Sequence, residues 1–333
     1  MFRIIPQVCE AFLTERQKYD DQLLKLEAGT EEYENIKAKR DVMKFLTNAV
    51  YGYLAYRGSR MFDVDVASTV TALAREGIMK VLEFFEQLGY RPLYCDTDSV
   101  FVQMPFDKAT AVVSQVNKML EKYLTEKYGI KKCNIKLKFE KYSSKVLFLG
   151  VKKRYAMKVV WEGSECNYVK VVGFEAKRTD QSEFTRKLQN DVLNMLLNGQ
   201  SLHEIVSYVR ESVKGYRERS LDEISIPKGI DKPLHEYKSK PPHVKGALLA
   251  NAYLGARFGV GSKVKMLYVK HVPGLPRTDV ICFETPKQLP EGVEVDWDRM
   301  IEVSVKQKLE DILEAVGIGW SNILGSENLD RWL

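Results

Sequence analysis

The tightest constraint in this 333-residue sequence is a pair of aspartates one residue apart, Asp96 and Asp98, set between two short runs of β-forming side chains. The run before is Pro92-Leu93-Tyr94-Cys95; the run after is Ser99-Val100-Phe101-Val102-Gln103-Met104. Two such runs around a short polar turn predict a β-hairpin with Asp96-Thr97-Asp98 at its tip. Carboxylates held that close repel each other, and flanking apolar strands raise the cost. A divalent cation relieves the repulsion. Hard oxygen donors of this kind suit Mg²⁺, which takes one or two carboxylates together with substrate phosphates. Two such ions about 3.5–4 Å apart activate an attacking hydroxyl and stabilise a leaving phosphate. The same residues also suit an Asx-type turn, in which an aspartate caps backbone amides and no metal is held.

A second constellation is Lys44-Phe45-Leu46-Thr47-Asn48-Ala49-Val50-Tyr51-Gly52. On a helix Lys44, Asn48, Tyr51 and Gly52 fall at i, i+4, i+7 and i+8, on one face. A cation, an amide, an aromatic ring and a gap on one face suit a nucleotide, the Lys meeting the triphosphate and the ring and Gly surface meeting the base pair. The bland alternative is a helix end with Lys44 in solvent and Tyr51 in a core.

Charge adds a third signal. The net charge is +6, but residues 127–187 hold sixteen Lys and Arg against six Asp and Glu, so the rest of the chain is mildly acidic. One basic segment on an acidic body is what a chain needs to neutralise phosphates with a defined surface; a solvated face would look similar. Hydrophobic residues at 45% and charged residues at 29% exclude a disordered or collagen-like chain. No apolar run reaches the ~18 residues of a membrane-spanning helix, and the N-terminus lacks the pattern of a signal peptide. Five scattered cysteines without a C-x-x-C pair argue against a structural zinc site and a disulfide framework, and predict a reducing, cytoplasmic setting.

The chain has three textures. Residues 6–57 predict two helices joined at Ala28-Gly29-Thr30, with Thr30 as N-cap and an acidic first turn after it, forming a projecting hairpin. Residues 58–187 alternate: a helix over 66–89, the hairpin at 92–104, a helix over 109–128, and strands near 134–140, 146–151, 154–160 and 167–174. From residue 182 onward the periodicity is helical at 184–197, 202–216, 242–257 and 298–316. The fold class is α+β.

Taken together these segments resemble the family B DNA polymerases, especially the archaeal ones. Lys44 to Gly52 resembles the K-x-x-x-N-S-x-Y-G motif of the fingers, with Ala49 in place of Ser. Tyr94-Cys95-Asp96-Thr97-Asp98-Ser99 resembles the Y-x-D-T-D-S motif of the palm, and Lys152-Lys153-Arg154-Tyr155 the K-K-x-Y motif that grips primer–template DNA. Ala67 to Arg75, Lys138 to Tyr142, Gly173-Phe174-Glu175 and Tyr237 to Val244 follow in the family's order. The resemblance implies fingers at 1–57, part of the palm at 58–181 and a mainly helical thumb at 182–333. It implies template-directed addition of a dNTP to a primer 3′-hydroxyl by a two-metal mechanism, with Asp96 and Asp98 holding catalytic Mg²⁺. Arg16 and Lys44 would contact the incoming triphosphate, Asn48, Tyr51 and Gly52 would line the nascent base pair, and Lys152, Lys153, Arg154 and Tyr155 would track the duplex.

Departures from the family carry their own expectations. Asp20 stands where the family has a Lys four residues after the fingers Arg, which shifts triphosphate binding toward Arg16, Lys39 and Lys44. The D-x-x-S-L-Y-P motif with the family's other metal-binding Asp is absent from these residues, as are the exonuclease carboxylates. The resemblance therefore implies the C-terminal half of a split polymerase, needing an N-terminal chain for that Asp and for proofreading. The alternative is a non-catalytic DNA-binding subunit that keeps the fold. The tail Ser326-Glu327-Asn328-Leu329-Asp330-Arg331-Trp332-Leu333 resembles a sliding-clamp-binding segment.

Overall fold

Helix boundaries follow local chemistry. The Thr30 hydroxyl accepts from the Tyr33 amide and starts α2, Glu31–Ala55, while Asp63 accepts from the Asp65 and Val66 amides and starts α3, Val64–Gln87. Side-chain oxygens of this type satisfy amides that have no partner inside the helix. The computed structural model describes residues 4–130 and 133–324. The chain divides into two compact units, Met1–Phe139 and Glu140–Leu333. That boundary falls inside the segment expected as palm.

The first unit begins with α1, Ile4–Leu23, packed along α2. After α3 come β1, Arg91–Asp96, and β2, Ser99–Gln103, an antiparallel pair, then α4, Phe106–Tyr128. Its core lies between α3 and α4: Val81, Phe84 and Phe85 meet Val112, Val116, Leu120 and Leu124, with Cys133 added. Val100 and Val102 of the hairpin pack on the same cluster. A polar lock joins the two helices. The Glu76 carboxylate accepts from Lys127 Nζ at 2.6 Å, Tyr123 OH at 2.6 Å and Tyr128 OH at 2.7 Å. By contrast α1 buries no residue and α2 buries Leu54 alone among the described residues.

The second unit opens with an antiparallel sheet of β3, Tyr142–Phe148, β4, Tyr155–Trp161, and β5, Glu165–Val172. Two helices follow, α5, Glu183–Asn198, and α6, Leu202–Lys214, then the short α7, Leu221–Ile224. A second sheet is built from β6, Ile226–Gly229, β7, Lys263–His271, and β8, Val280–Phe283, with β9, Glu294–Val295, also paired to β7. Helix α8, Pro242–Tyr253, lies against β8 so closely that a Cβ on Gly246 would stand 2.7 Å from Cys282 Sγ and 3.0 Å from the Ile281 carbonyl carbon. The chain then runs through α9, Trp297–Ile301, a π-helical turn at Glu302–Lys306, α10, Gln307–Glu314, and α11, Trp320–Leu324.

One expectation needs an addition and another a correction. Residues 182–333, expected mainly helical, also hold the β6–β9 sheet; β8 is a four-residue run buried on every side, and such a run carries no periodicity to read. Residues 134–140, expected as a strand, are irregular, because this segment is tied down elsewhere: Asn117 on α4 both donates to the Leu137 carbonyl and accepts from its amide. The tail 326–333 lies outside the described residues.

Candidate functional site

Thr97-Asp98 is the two-residue tip of the β1–β2 hairpin, and Asp96, the last residue of β1, is paired to Ser99 across it. Thr97 has φ 59°, in the left-handed region. For a β-branched residue that conformation is an outlier, with a cost of order 1–3 kcal/mol, and such strain clusters at functional sites. The turn is held by the Asp98 amide donating to the Asp96 carbonyl at 2.7 Å, by Ser99 Oγ donating to the same carbonyl at 3.1 Å, and by Thr97 Oγ1 donating to Asp96 Oδ1 at 3.1 Å. Asp98 is exposed and Asp96 half-buried. Burial, and then the Asp96 charge, push the adjacent Cys95 thiol above its ordinary pKa, so it stays protonated. Both carboxylates are hard donors of the kind Mg²⁺ takes. Among the described residues no third His, Cys, Asp or Glu joins them to complete a metal-holding group.

On the helical hairpin, Lys44, Asn48, Tyr51 and Gly52 are all exposed on α2. A Cβ added to Gly52 would meet nothing within 4 Å. Tyr51 borders a shallow cavity of about 230 Å³, with Phe62, Val64 and Ala67 on its other sides. Arg16 of α1 is half-buried at the seam between the helices. Asp20 lies 3.9 Å from Arg16 Nε and 3.6 Å from Arg40 Nε. The acid in the family's Lys position thus faces two arginines of its own hairpin. Arg40 was not singled out by sequence; its i−4 spacing from Lys44 was the available signal, since it puts both cations on one stripe.

The basic motif forms the turn between β3 and β4 in the other unit. Lys152 and Lys153 are exposed. Arg154 is turned onto carboxylates of its own unit: Nη1 donates to Asp311 Oδ2 at 2.6 Å and Nη2 to Glu175 Oε2 at 3.1 Å. Tyr155 is half-buried against Phe148, ring centres 6.0 Å apart. Nearby, Arg178 donates two parallel bonds to Asp180, at 2.8 and 2.7 Å, and Lys228 adds a third cationic contact. Arg178 first, with Lys228, holds the Asp180 carboxyl down to about 2.

Residues 3–316 match the family model described as DNA polymerase family B. The chain belongs to that family. It is 29% identical to a DNA polymerase of Archaeoglobus fulgidus, over 79% of this chain and 32% of the relative. It is 28% identical to DNA polymerase 2 of Aeropyrum pernix, over 96% of this chain and 37% of the relative. The solved structure of the family B DNA polymerase from the hyperthermophilic archaeon Pyrobaculum calidifontis superposes with a TM-score of 0.62 at 30% identity, covering 94% of this chain and 38% of that one. These 333 residues therefore span 32–38% of the length of these proteins they resemble.

Proposed function

We propose that these residues form the nucleotide- and duplex-binding part of a template-directed DNA polymerase, which joins dNTPs to the 3′-hydroxyl of a primer. One observation carries the reading: two carboxylates stand together on a hairpin tip whose left-handed Thr97 is strained, at the position of the family's palm motif. Asp96 and Asp98 would hold Mg²⁺, which when bound neutralises the triphosphate and acidifies the attacking hydroxyl. Arg16, Arg40 and Lys44 supply positive charge along one seam of the helical hairpin, where they bind and orient the triphosphate. Asn48 and Tyr51 lie against the nascent base pair, and the open space beside Gly52 admits it. Lys152, Lys153 and Tyr155 track the primer–template duplex. The fingers, palm and thumb assignment of residues 1–57, 58–181 and 182–333 belongs to this reading, as does a sliding clamp docked through residues 326–333.

Two carboxylates do not complete a two-ion cage. The further acid ligand comes from polypeptide outside these 333 residues, which we assign to an N-terminal polymerase and exonuclease segment. The test is primer extension by this chain with and without that segment. Synthesis is expected only with it, and Asp98→Ala should lower it about a hundredfold or more while duplex affinity stays within about twofold. Robust synthesis by the chain alone overturns the two-part reading. The second reading is a non-catalytic DNA-binding subunit that keeps the fold. Duplex binding without synthesis in the presence of the segment would select it.

A further inference from the structure

The geometry points to Arg154 as a positioning residue that sets the Lys152-Lys153 turn from inside the protein and makes no contact with DNA. This rests on the reading of the two lysines as the duplex grip. The turn spans residues 151–154 and is closed by the Arg154 amide on the Val151 carbonyl at 3.3 Å. Lys153 occupies its third position with φ 61°, a place that ordinarily demands Gly. A side-chain-bearing residue stays in that conformation only where its surroundings over-determine it.

Two supports do so here. From one side Gly173 lies so near that a Cβ on it would fall 1.8 Å from the Lys153 carbonyl oxygen. From the other side Arg154 anchors the end of the turn. Its side chain is 16% exposed, its guanidinium lies 5.1 Å from the centre of the Phe174 ring, and its two arms reach Glu175 and Asp311. Glu175 is fixed in turn by Gln189, which is fully buried and also bonds the Ala176 amide and the Lys308 carbonyl. One guanidinium between two carboxylates forms a group of net charge −1. Such a group does not attract phosphate, because its two acids outweigh the one guanidinium. What the arrangement does is hold the two lysines in one geometry before DNA arrives, so that binding does not have to order them.

The experiment measures the affinity of the full chain for a primer–template duplex by fluorescence anisotropy over a salt series, with a thermal melt of each variant. Lys152→Ala combined with Lys153→Ala should weaken binding roughly tenfold or more and lower the salt slope by about two. Asp311→Asn is the deciding variant, because its exposed carboxylate can be neutralised without opening the fold. On charge alone it should tighten binding; positioning predicts a several-fold loss with an unchanged melt. Arg154→Ala should weaken binding in the native background and add nothing once both lysines are gone, since coupled residues are non-additive. Tighter or unchanged binding by Asp311→Asn, or a full additive loss from Arg154→Ala without the lysines, would overturn the inference. An unchanged affinity of the double lysine variant would instead remove the grip reading on which it stands.

Discussion

The two units use their apolar side chains in opposite ways. Among the described residues of the second, thirty-three buried ones form one continuous cluster, from Ala156 on β4 to Ile323 on α11. Among the described residues of the first, the cluster between α3 and α4 has eight. Much of the remaining apolar surface there faces outward: Leu24 is 86% exposed, Phe45 72% and Tyr56 66%. Yet the first unit carries Arg16, Lys44, Asn48, Tyr51, Asp96 and Asp98. Elements that must open to admit a ligand come from the low-stability end of a protein, where few apolar contacts resist opening. The second unit offers the complement, a thick core whose edge presents the lysine turn.

Mutations can break this comparison. The largest effect belongs to the thick core: Phe283, fully buried on β8, should cost about 3–5 kcal/mol when truncated to Ala, read by denaturant unfolding of the second unit. A loss below about 1 kcal/mol would mean that the cluster is not a single core.

Acid sharpens the contrast next. Lys127 first, then Tyr123 and Tyr128, hold the Glu76 carboxyl down to about 2 from an ordinary value of 4.5. Because the folded value lies below the unfolded one, the lock contributes in full above that ordinary value and fades as pH falls from 4.5 towards 2. Protection of the α3 and α4 amides, taken relative to the intrinsic exchange rate at each pH, should therefore fall across that window in the native chain. Glu76→Gln should remove this pH dependence and leave the same amides less protected at neutral pH. The second unit has a depressed carboxyl of its own at Asp180, but backed by the larger core, so acid should open the first unit before it.

The smallest effect is expected on the helical hairpin. Leu13, 44% exposed, should change stability by less than about 0.5 kcal/mol when truncated to Ala, and amides of α1 should exchange faster than those of α5. Strong protection along α1 would show that the hairpin is held by more than its own seam.

What could be read in the sequence follows the range of the interactions. Thr30 as an N-cap, the acidic turn after it and the hairpin around Asp96-Thr97-Asp98 are settled by residues a few positions apart, and the structure places all three as expected. The strands expected at 154–160 and 167–174 are β4 and β5 to within two residues, whereas the one expected at 146–151 runs earlier, as β3. The β6–β9 sheet was not legible, because its strands are separated by α8 and long loops, and β6, β8 and β9 are each only two to four residues long. The inward turn of Arg154 depends on Asp311, 157 residues away, which no local pattern reports. Asp20 looked like a defect beside a triphosphate until Arg40, across the hairpin, was seen beside it.

The fit of α8 against β8 has a chemical consequence. Burial pushes the Cys282 thiol well above its ordinary pKa, its hydrogen is directed to the His243 carbonyl at 3.3 Å, and Gly246 leaves no room above the sulfur. Oxygen cannot be added to that sulfur without prising helix from sheet. Peroxide should therefore mark Cys9 and Cys166, which are partly open to solvent, and pass over Cys282, so that an ageing sample of this protein would scar at its rim while its centre stayed reduced.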